Sequence, residues 1–321
     1  MRAIAITKPG GPETLVLVER PLPEPSRGEV RVRVRATAVN RADLLQRMGA
    51  YPAPADSPRD IPGLEFSGEV EALGHGVERL AVGDRVFGLV GGGAYAEAVV
   101  SHERALAKIP DNLSFEQAAA VPEAFVTAYD AIVERGGFIG GDALLISACG
   151  SGVGTAAIQL GRALGATVIG TARSQAKLDR CKPLGLDIGV VPDDGGRFAH
   201  KLPAPKVIVE LVGGAYVNED LRAIQTLGRI ALVGLLAGAK SELELGLLMQ
   251  KRATIVGTML RARPLEQKIA AMRTFETNVV PLLAKGAIAP IVDAVMPLAD
   301  APKAHERMAS NAGMGKIVLT C

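Results

Sequence analysis

The chain has 321 residues, which suits about two domains at roughly 150 residues each, and 48% of them are hydrophobic, enough for a large core. Its 36 Lys and Arg against 34 Asp and Glu leave a net charge of +2, which excludes a polybasic nucleic-acid binder or an acidic tail. Aromatic residues make up only 3%, with no Trp, which argues against a stacking platform for single strands, and three cysteines (Cys149, Cys181, Cys321) cannot build a disulfide framework.

The first residues, MRAIAITKPGGPE, reach a Gly-Pro turn before a signal-peptide core can form. Apolar stretches further on are broken well before about 18 residues. The expectation is a soluble cytoplasmic protein with no membrane partner. Short strands then follow one another with a period near two. Arg2–Ile6 is the first, and Val30 to Arg35 places valines on one face and arginines on the other. Gly68 to Leu73 repeats the rhythm with acids, and Arg85–Leu89 and Tyr95 to Val100 add further strands. Gly10-Gly11-Pro12, Pro62-Gly63, Gly83-Asp84 and Gly91-Gly92-Gly93 punctuate them. The stripe of Arg31, Arg33 and Arg35 could face a phosphate. With a net charge near zero, the reading taken is a solvated strand face opposite Glu69 and Glu71.

From about residue 123 apolar strand-length runs alternate with helix-length amphipathic segments. Ala143 to Ser147 precedes a helix over Gly152 to Leu164. Thr167 to Thr171 precedes a helix over Gln175 to Leu184, and Gly189 to Val191 follows. Lys206 to Val212 precedes a helix near Asn218 to Leu227, then come strands at Arg229 to Leu235 and Ala253 to Leu260. Such near-continuous apolar strands belong to a sheet covered on both faces, so this is a doubly wound parallel α/β domain. A helix over Leu265 to Lys285, strands at Ile291 to Met296 and Lys316 to Thr320, and a helix over Ala301 to Ser310 close the chain. The tail is expected to rejoin the β-rich part. That assigns residues 1–122 and 289–321 to one domain and 123–288 to an inserted α/β domain.

The loop after the first α/β strand reads Ala148-Cys149-Gly150-Ser151-Gly152-Val153-Gly154. Glycines there allow a tight turn, a close approach of backbone N–H groups to a pyrophosphate and close helix packing. The helix start then faces the phosphates. This loop stands in the strand–turn–helix setting that makes the pattern informative, so a dinucleotide is expected. At the end of the second strand an NAD site usually carries an acid for the ribose 2′-OH. Here Thr171-Ala172-Arg173-Ser174 stand, with Lys177 one turn on. An Arg, a hydroxyl and a Lys suit a 2′-phosphate, so NADPH is expected over NADH. The alternative is that Arg173 and Lys177 are plain surface charges.

A catalytic zinc needs about three convergent His, Cys or acidic ligands. The four His (His75, His102, His200, His305) are scattered, Cys149 suits the tight loop, Cys181 falls on a helix and Cys321 is terminal. No metal is expected, and no nucleophile elbow is evident. Chemistry without zinc suits an acceptor that takes hydride readily, such as a quinone or a conjugated enone or enal.

At this point the residues resemble a family. The chain is similar, over essentially its whole length, to zinc-independent quinone oxidoreductases of the medium-chain dehydrogenase/reductase superfamily, within the p53-inducible NADPH quinone reductase branch. The segments that carry the resemblance are Lys8–Glu13, Ala38–Leu44 with Gln46–Tyr51, Pro62–Gly68, Val82–Val86, Ala118–Ala128, Ser151–Leu160 and Gly313–Leu319. Where zinc-dependent relatives typically carry Cys and His, this chain has Asn40 and Leu64.

The resemblance implies a Rossmann sheet inserted into a GroES-like catalytic domain, with NADPH in the cleft between them. It implies Asn40 and Tyr51 lining the nicotinamide and substrate cleft, Asp43 supporting that wall, and Thr127 on the nicotinamide side. Gly150, Ser151, Gly152 and Val153 would cradle the pyrophosphate, and Arg173, Ser174 and Lys177 would hold the adenosine phosphate. Gly234, Leu235, Leu260 and Arg261 would border the nicotinamide ribose and carboxamide, with Asn311 closing the site. Plainer roles stay open: an exposed loop aromatic for Tyr51, a turn-capping amide for Asn40, and a helix-capping or salt-bridge acid for Asp43.

Three functions are weighed. The leading one is reduction of a quinone by NADPH. The second is an enoyl reductase for α,β-unsaturated ketones, aldehydes or thioesters, for which Arg261, Arg263 and Lys268 give a thin hint of a phosphate channel. The third is a cofactor-binding sensor or structural protein. The apolar Thr254 to Leu260 strand reads as a sheet edge, and together with the resemblance it implies a two-fold homodimer joined there.

Overall fold

A computed structural model describes the whole chain, residues 1–321. It forms two compact units, one of Met1–Glu123, Leu260–Gly286 and Pro290–Cys321, the other of Ala124–Met259 and Ala287–Ala289.

In the first unit β1 (Arg2–Ile6) pairs antiparallel with β2 (Leu15–Glu19). The sequence reading passed over β2 because Leu-Val-Leu-Val shows no alternation. The long strand β3 (Glu29–Val39) leads into α1 (Arg41–Arg47). Then come β4 (Glu65–Leu73), β5 (Arg85–Leu89), β6 (Ala98–His102), β7 (Leu106–Lys108), α2 (Phe115–Ala119) and α3 (Pro122–Tyr129). Val30, Val32 and Val34 of β3 are buried together with Phe66, Val70 and Val86. The arginines take the other face. Arg31 Nε meets Glu71 Oε1 at 2.6 Å and Arg35 Nη2 meets Glu69 Oε2 at 2.6 Å, so the stripe is a cross-strand charge ladder, as expected.

The second unit holds β8 (Ala143–Ile146), α4 (Gly152–Ala163), β9 (Thr167–Thr171), α5 (Gln175–Cys181) and β10 (Ile188–Val190). It continues with β11 (Val207–Glu210), α6 (Tyr216–Ala223), β12 (Arg229–Leu232), α7 (Leu245–Lys251) and β13 (Thr254–Gly257). The six strands are all parallel, in the order β10-β9-β8-β11-β12-β13. This is the doubly wound Rossmann arrangement, and the order reverses between β8 and β11, where such sheets bind ligands at their carboxyl ends.

The chain then returns to the first unit through α8 (Leu265–Asn278), α9 (Val280–Ala284), β14 (Val292–Pro297), α10 (Ala301–Ser310) and β15 (Lys316–Thr320). One helix was expected over 265–285. Pro281, which cannot donate into a helix interior, instead stands in the first turn of a second one. β15 runs antiparallel to β3 and parallel to β14, so the tail completes the first sheet as expected. The inserted unit closes at Met259 rather than near 288, because α8 packs on the β-rich unit: Phe275 meets Phe87 edge-to-face at 5.7 Å, and Arg104 pairs with Glu266 at 2.8 Å. No helix is long and apolar enough to cross a membrane.

One buried contact in the second unit has a thermodynamic consequence. Glu210, at the end of β11, accepts the N–H groups of Val212 (2.5 Å) and Gly213 (2.6 Å) on Oε1. Asp220 of α6 faces it, and both side chains are fully buried. Burial, then the charge of Glu210, holds the Asp220 carboxyl protonated far above the usual Asp range. The folded chain therefore keeps a proton that an unfolded Asp releases, and stability falls as pH rises above the ordinary Asp range. Asp220→Asn cannot ionise, so chemical denaturation from about pH 5 to 8 should show a smaller loss of stability in the variant. Equal slopes for the two proteins would refute the proton-sharing pair.

Candidate active site

The first unit builds a polar cluster where β3 turns into α1. The Asn40 N–H donates to Asp43 Oδ2 (2.7 Å), the Gly63 N–H to Asp43 Oδ1 (3.0 Å), and the Tyr95 hydroxyl to Asp43 Oδ2 (3.3 Å). Gly63 has φ +101°, and a Cβ there would lie 2.6 Å from the Tyr95 ring, so only glycine fits. Burial pushes the Asp43 carboxyl up to about 6, while the hydrogen bonds from Asn40 and Gly63 and the charges of Lys316 and Arg261 pull it down. Asp43 is fully buried, with both oxygens engaged. It caps the start of α1 and ties it to Gly63 and Tyr95.

Asn40 is held on both ends of its amide. Nδ2 donates to Glu65 Oε1 (2.9 Å) and Ala38 O (3.2 Å), and Oδ1 accepts from Lys316 Nζ (2.5 Å). Lys316 also pairs with Glu65 at 2.6 Å, their side chains 6% and 0% exposed. The other Glu65 oxygen accepts the backbone N–H of Glu123 at 2.8 Å. The sequence reading did not single out Glu65, Lys316 or Glu123. The available signal was a lone charge inside each of two apolar strand runs, Leu64-Glu65-Phe66 and Lys316 to Leu319.

Tyr51 is half-buried in the loop after α1. The Arg261 guanidinium lies 5.0 Å over its ring and donates to Gly91 O (2.7 Å), Tyr51 O (3.2 Å) and Gln46 Oε1 (2.5 Å). Leu260 and Arg261 thus belong to the first unit, and Arg261 buttresses the Tyr51 loop. Asn311 ends α10 in a left-handed conformation, φ +54°, and accepts from Arg41 at 2.5 Å. Deeper in, His305 lies between Tyr95 Oη (3.1 Å) and Arg47 (3.4 Å). Burial, aided by Arg47, pushes its pKa down to about 3, so it is a neutral core histidine.

The second unit carries the nucleotide-type residues. Ser151 caps α4 by accepting the Gly154 N–H on Oγ (3.1 Å), which leaves Gly152 and Val153 at the start of a 12-residue helix to meet an anion. A Cβ on Gly154 would lie 2.6 Å from Cys149 O, so this glycine sets the close packing of loop and helix. A Cβ on Gly150 would find only Lys177 Cδ, at 3.8 Å, so Gly150 and Lys177 are neighbours. Ser174 caps α5 and Arg173 just before it is exposed. Cys149 and Cys181 are buried thiols with sulfurs 3.8 Å apart. Gly234 follows β12, where a Cβ would lie 2.4 Å from Leu211 O, and Leu235 beside it is exposed. Thr127 is buried and its hydroxyl has no hydrogen-bond partner, an orphan that a bound group can satisfy.

Known proteins share both halves of this arrangement. Residues 26–111 match a family described as the alcohol dehydrogenase GroES-like domain, and residues 152–277 match the zinc-binding dehydrogenase family. A quinone oxidoreductase of Pseudomonas aeruginosa is 34% identical over 97% of this chain and 96% of its own. The chain belongs to the medium-chain dehydrogenase/reductase superfamily. Among solved structures of this superfamily, the Escherichia coli quinone oxidoreductase complexed with NADPH superposes with a TM-score of 0.88, at 28% identity, over 100% of both chains. The same superfamily sequence occurs inside far larger proteins. The chain is 36% identical over 99% of its length to part of the polyketide synthase GfsB of Streptomyces halstedii, and spans only 6% of that protein. The chain is thus a medium-chain oxidoreductase, and its first unit holds the buried Lys316–Glu65 ion pair.

Breaking that pair by removing one partner leaves an uncompensated buried charge, which costs about 3–5 kcal/mol. Lys316→Met should therefore lower the unfolding free energy by about that amount, measured by urea denaturation. Adding Glu65→Leu to the Lys316→Met chain should restore part of the loss. A single variant as stable as the parent would rule out the pair as a structural element.

Proposed function

We propose that this chain is an NADPH-dependent oxidoreductase that reduces quinones without zinc. The observation that carries this reading is the makeup of the first-unit site. Where zinc-dependent members typically carry a Cys ligand, the amide of Asn40 is taken up by Glu65 and Lys316, and Leu64 is a buried apolar residue. No group of three or more His, Cys, Asp or Glu side chains is placed to hold a metal ion. The quinone oxidoreductases among its relatives support the acceptor class.

The second unit's residues fit a dinucleotide, judged by the orphaned Thr127 hydroxyl and the Ser151-capped start of α4. Thr127 would hydrogen-bond the nicotinamide end, with Gly234 and Leu235 bordering it. Gly150, Ser151, Gly152 and Val153 would hold the pyrophosphate, and Arg173, Ser174 and Lys177 the 2′-phosphate. Bound there, NADPH would supply the hydride. Tyr51 and Asn40 would line the acceptor's place, the Tyr51 ring held flat against Arg261 and Asn40 fixed by its two partners. A cytoplasmic location and a two-fold dimer joined along β13 complete the proposal. β13 is the outer strand of its sheet, and Met249 and Met259 flank it in exposed positions. A monomeric mass in solution at micromolar concentration would count against the dimer.

A second reading, an enoyl reductase for α,β-unsaturated ketones, aldehydes or thioesters, is favoured by the match to part of GfsB. Steady-state rates with NADPH on para- and ortho-quinones and on a crotonyl thioester separate the two. The leading reading expects the higher kcat/KM on quinones. A preference for the thioester replaces it with the second, and NADPH binding without turnover on any acceptor refutes both.

The cofactor choice has its own test. Arg173→Glu puts a carboxylate where a 2′-phosphate would lie, so NADPH should bind roughly 10–100-fold more weakly while NADH binding changes little. Fluorescence titration of the reduced nucleotides measures this. Equal effects on the two would show that Arg173 does not read the phosphate.

A further inference from the structure

The first unit has a small pocket whose polar lining is Glu123, Arg261 and Lys268, set among Leu89, Val90 and Leu260. Two of these charges are accounted for. Arg261 spends its donors on Gly91, Tyr51 and Gln46, and Lys268 lies 3.8 Å from Asp56. Glu123 differs. Its backbone N–H is fixed by Glu65 Oε2 at 2.8 Å, which anchors the start of α3, while its carboxyl makes no hydrogen bond or ion pair and the residue lines the pocket. It is also partly exposed, whereas the neighbouring acids Asp43 and Glu65 are fully buried and engaged.

The charges around this carboxyl come from every element packed on it. Glu65 of β4 and Asp43 of α1 are negative neighbours. Lys316 of β15 and Arg261 ahead of α8 are positive ones, Lys268 of α8 lines the same pocket, and Tyr51 stands within electrostatic reach. Burial is the largest influence, and with the charge of Glu65 it pushes Glu123 up to about 8, against the pull of Lys316 and Arg261. At neutral pH the group therefore holds a proton that it can release. Tyr51 is a second hydroxyl-bearing acid at this wall, and burial raises its pKa above the ordinary tyrosine value, which makes it the weaker acid.

A reduced acceptor needs such a group. When a quinone or enone takes a hydride it becomes an anion, and its oxygen requires a proton. We propose that Glu123 is the catalytic proton donor to an acceptor seated against the Tyr51–Arg261 wall. This rests on the reading of the chain as an NADPH-dependent reductase. A bound dinucleotide would supply the hydride and be left oxidised, and the acceptor would take up that hydride and be reduced. The O–H bond of Glu123 breaks as a new O–H bond forms on the acceptor oxygen. The Glu123 carboxylate is then reprotonated from water, so no further reductant or oxidant is needed. Arg261 keeps the wall in place while this happens, without giving up a proton of its own.

The test is a pH series of kcat and KM with NADPH and a para-quinone, for the parent and for Glu123→Gln. In the parent, kcat should fall as pH rises through about 8, because the acid form is lost. In Glu123→Gln, kcat should drop about 100-fold with that alkaline limb absent, while NADPH affinity by fluorescence titration stays within about threefold. An unchanged limb and a kcat within about threefold of the parent would overturn the assignment. Should the Gln variant fail to fold, Glu123→Asp carries the test. It keeps a carboxyl on a shorter arm, so the limb should persist with a lower kcat, and an unaltered kcat overturns the assignment.

Infrared difference spectroscopy separates this assignment from the reading beneath it. A carboxylic-acid carbonyl band that disappears through about pH 8 in the parent and is missing in the Gln variant shows Glu123 holding its proton, whatever the acceptor. An ionised Glu123 at pH 7 refutes the donor even if the enzyme is active. Failure of the parent to oxidise NADPH with any acceptor refutes the functional reading instead.

Discussion

The first unit depends on one buried ion pair. Lys316 and Glu65 meet at 2.6 Å with almost no exposure. Two charges taken out of water are costly, and each is tolerated only when the other, and further hydrogen bonds, satisfy it. Here the further partners are the Asn40 amide, the Val39 carbonyl and the Glu123 N–H. The pair therefore ties four segments together: the closing strand β15, the strand β4, the turn from β3 into α1 and the start of α3. Moving any one of them would strand a charge. That requirement explains why the last strand of the chain belongs to the first sheet, and why Asn40 stands on fixed backbone.

Fixed backbone has a chemical use. Beneath the wall, Asp43 is engaged by Asn40, Gly63 and Tyr95, and His305 closes the same layer in neutral form. Above it, Arg261 clamps the Tyr51 loop through three acceptors and its ring. The groups left with capacity are few, and Glu123 stands out because its carboxyl is unengaged and the residue lines a pocket. The second unit shows the opposite economy. Its helix α4 opens at Gly152 and Val153 behind the Ser151 cap, and Thr127 keeps an unsatisfied hydroxyl. One unit spends its polar groups on rigidity, and the other keeps them in reserve, as a surface that waits for an anionic ligand does.

Oxidoreductase character follows from membership, supported by full-length matches to quinone oxidoreductases and by a close superposition on one complexed with NADPH. Similar chains also occur as small parts of polyketide synthases, so one scaffold serves free-standing proteins and larger assemblies. Choice of acceptor lies in local chemistry, since the superfamily shares its backbone and varies its side chains.

Much of the fold was legible in the sequence because it is written in local periodicity. The Val-Arg alternation of β3, the apolar runs of β8, β9 and β11, and the glycine loop before α4 each declare an element within a few residues. The helices after the glycine loop and after β9 start at Gly152 and Gln175, where expected. Strand β2 escaped because four consecutive apolar residues have no period, and α8 was assigned to the inserted domain because sequence proximity says nothing about which sheet a helix covers. The pairing of Lys316 with Glu65 and the orphaned state of Thr127 were invisible for the same reason. Partners separated by hundreds of residues meet only when the chain closes, and desolvation, which decides what a buried charge does, exists only in the folded protein. The sequence by itself determined most of the elements and the glycine-rich loop before α4. The tertiary structure decided which charges are spent on holding the site and which remain free to act, because burial and long-range contact set both.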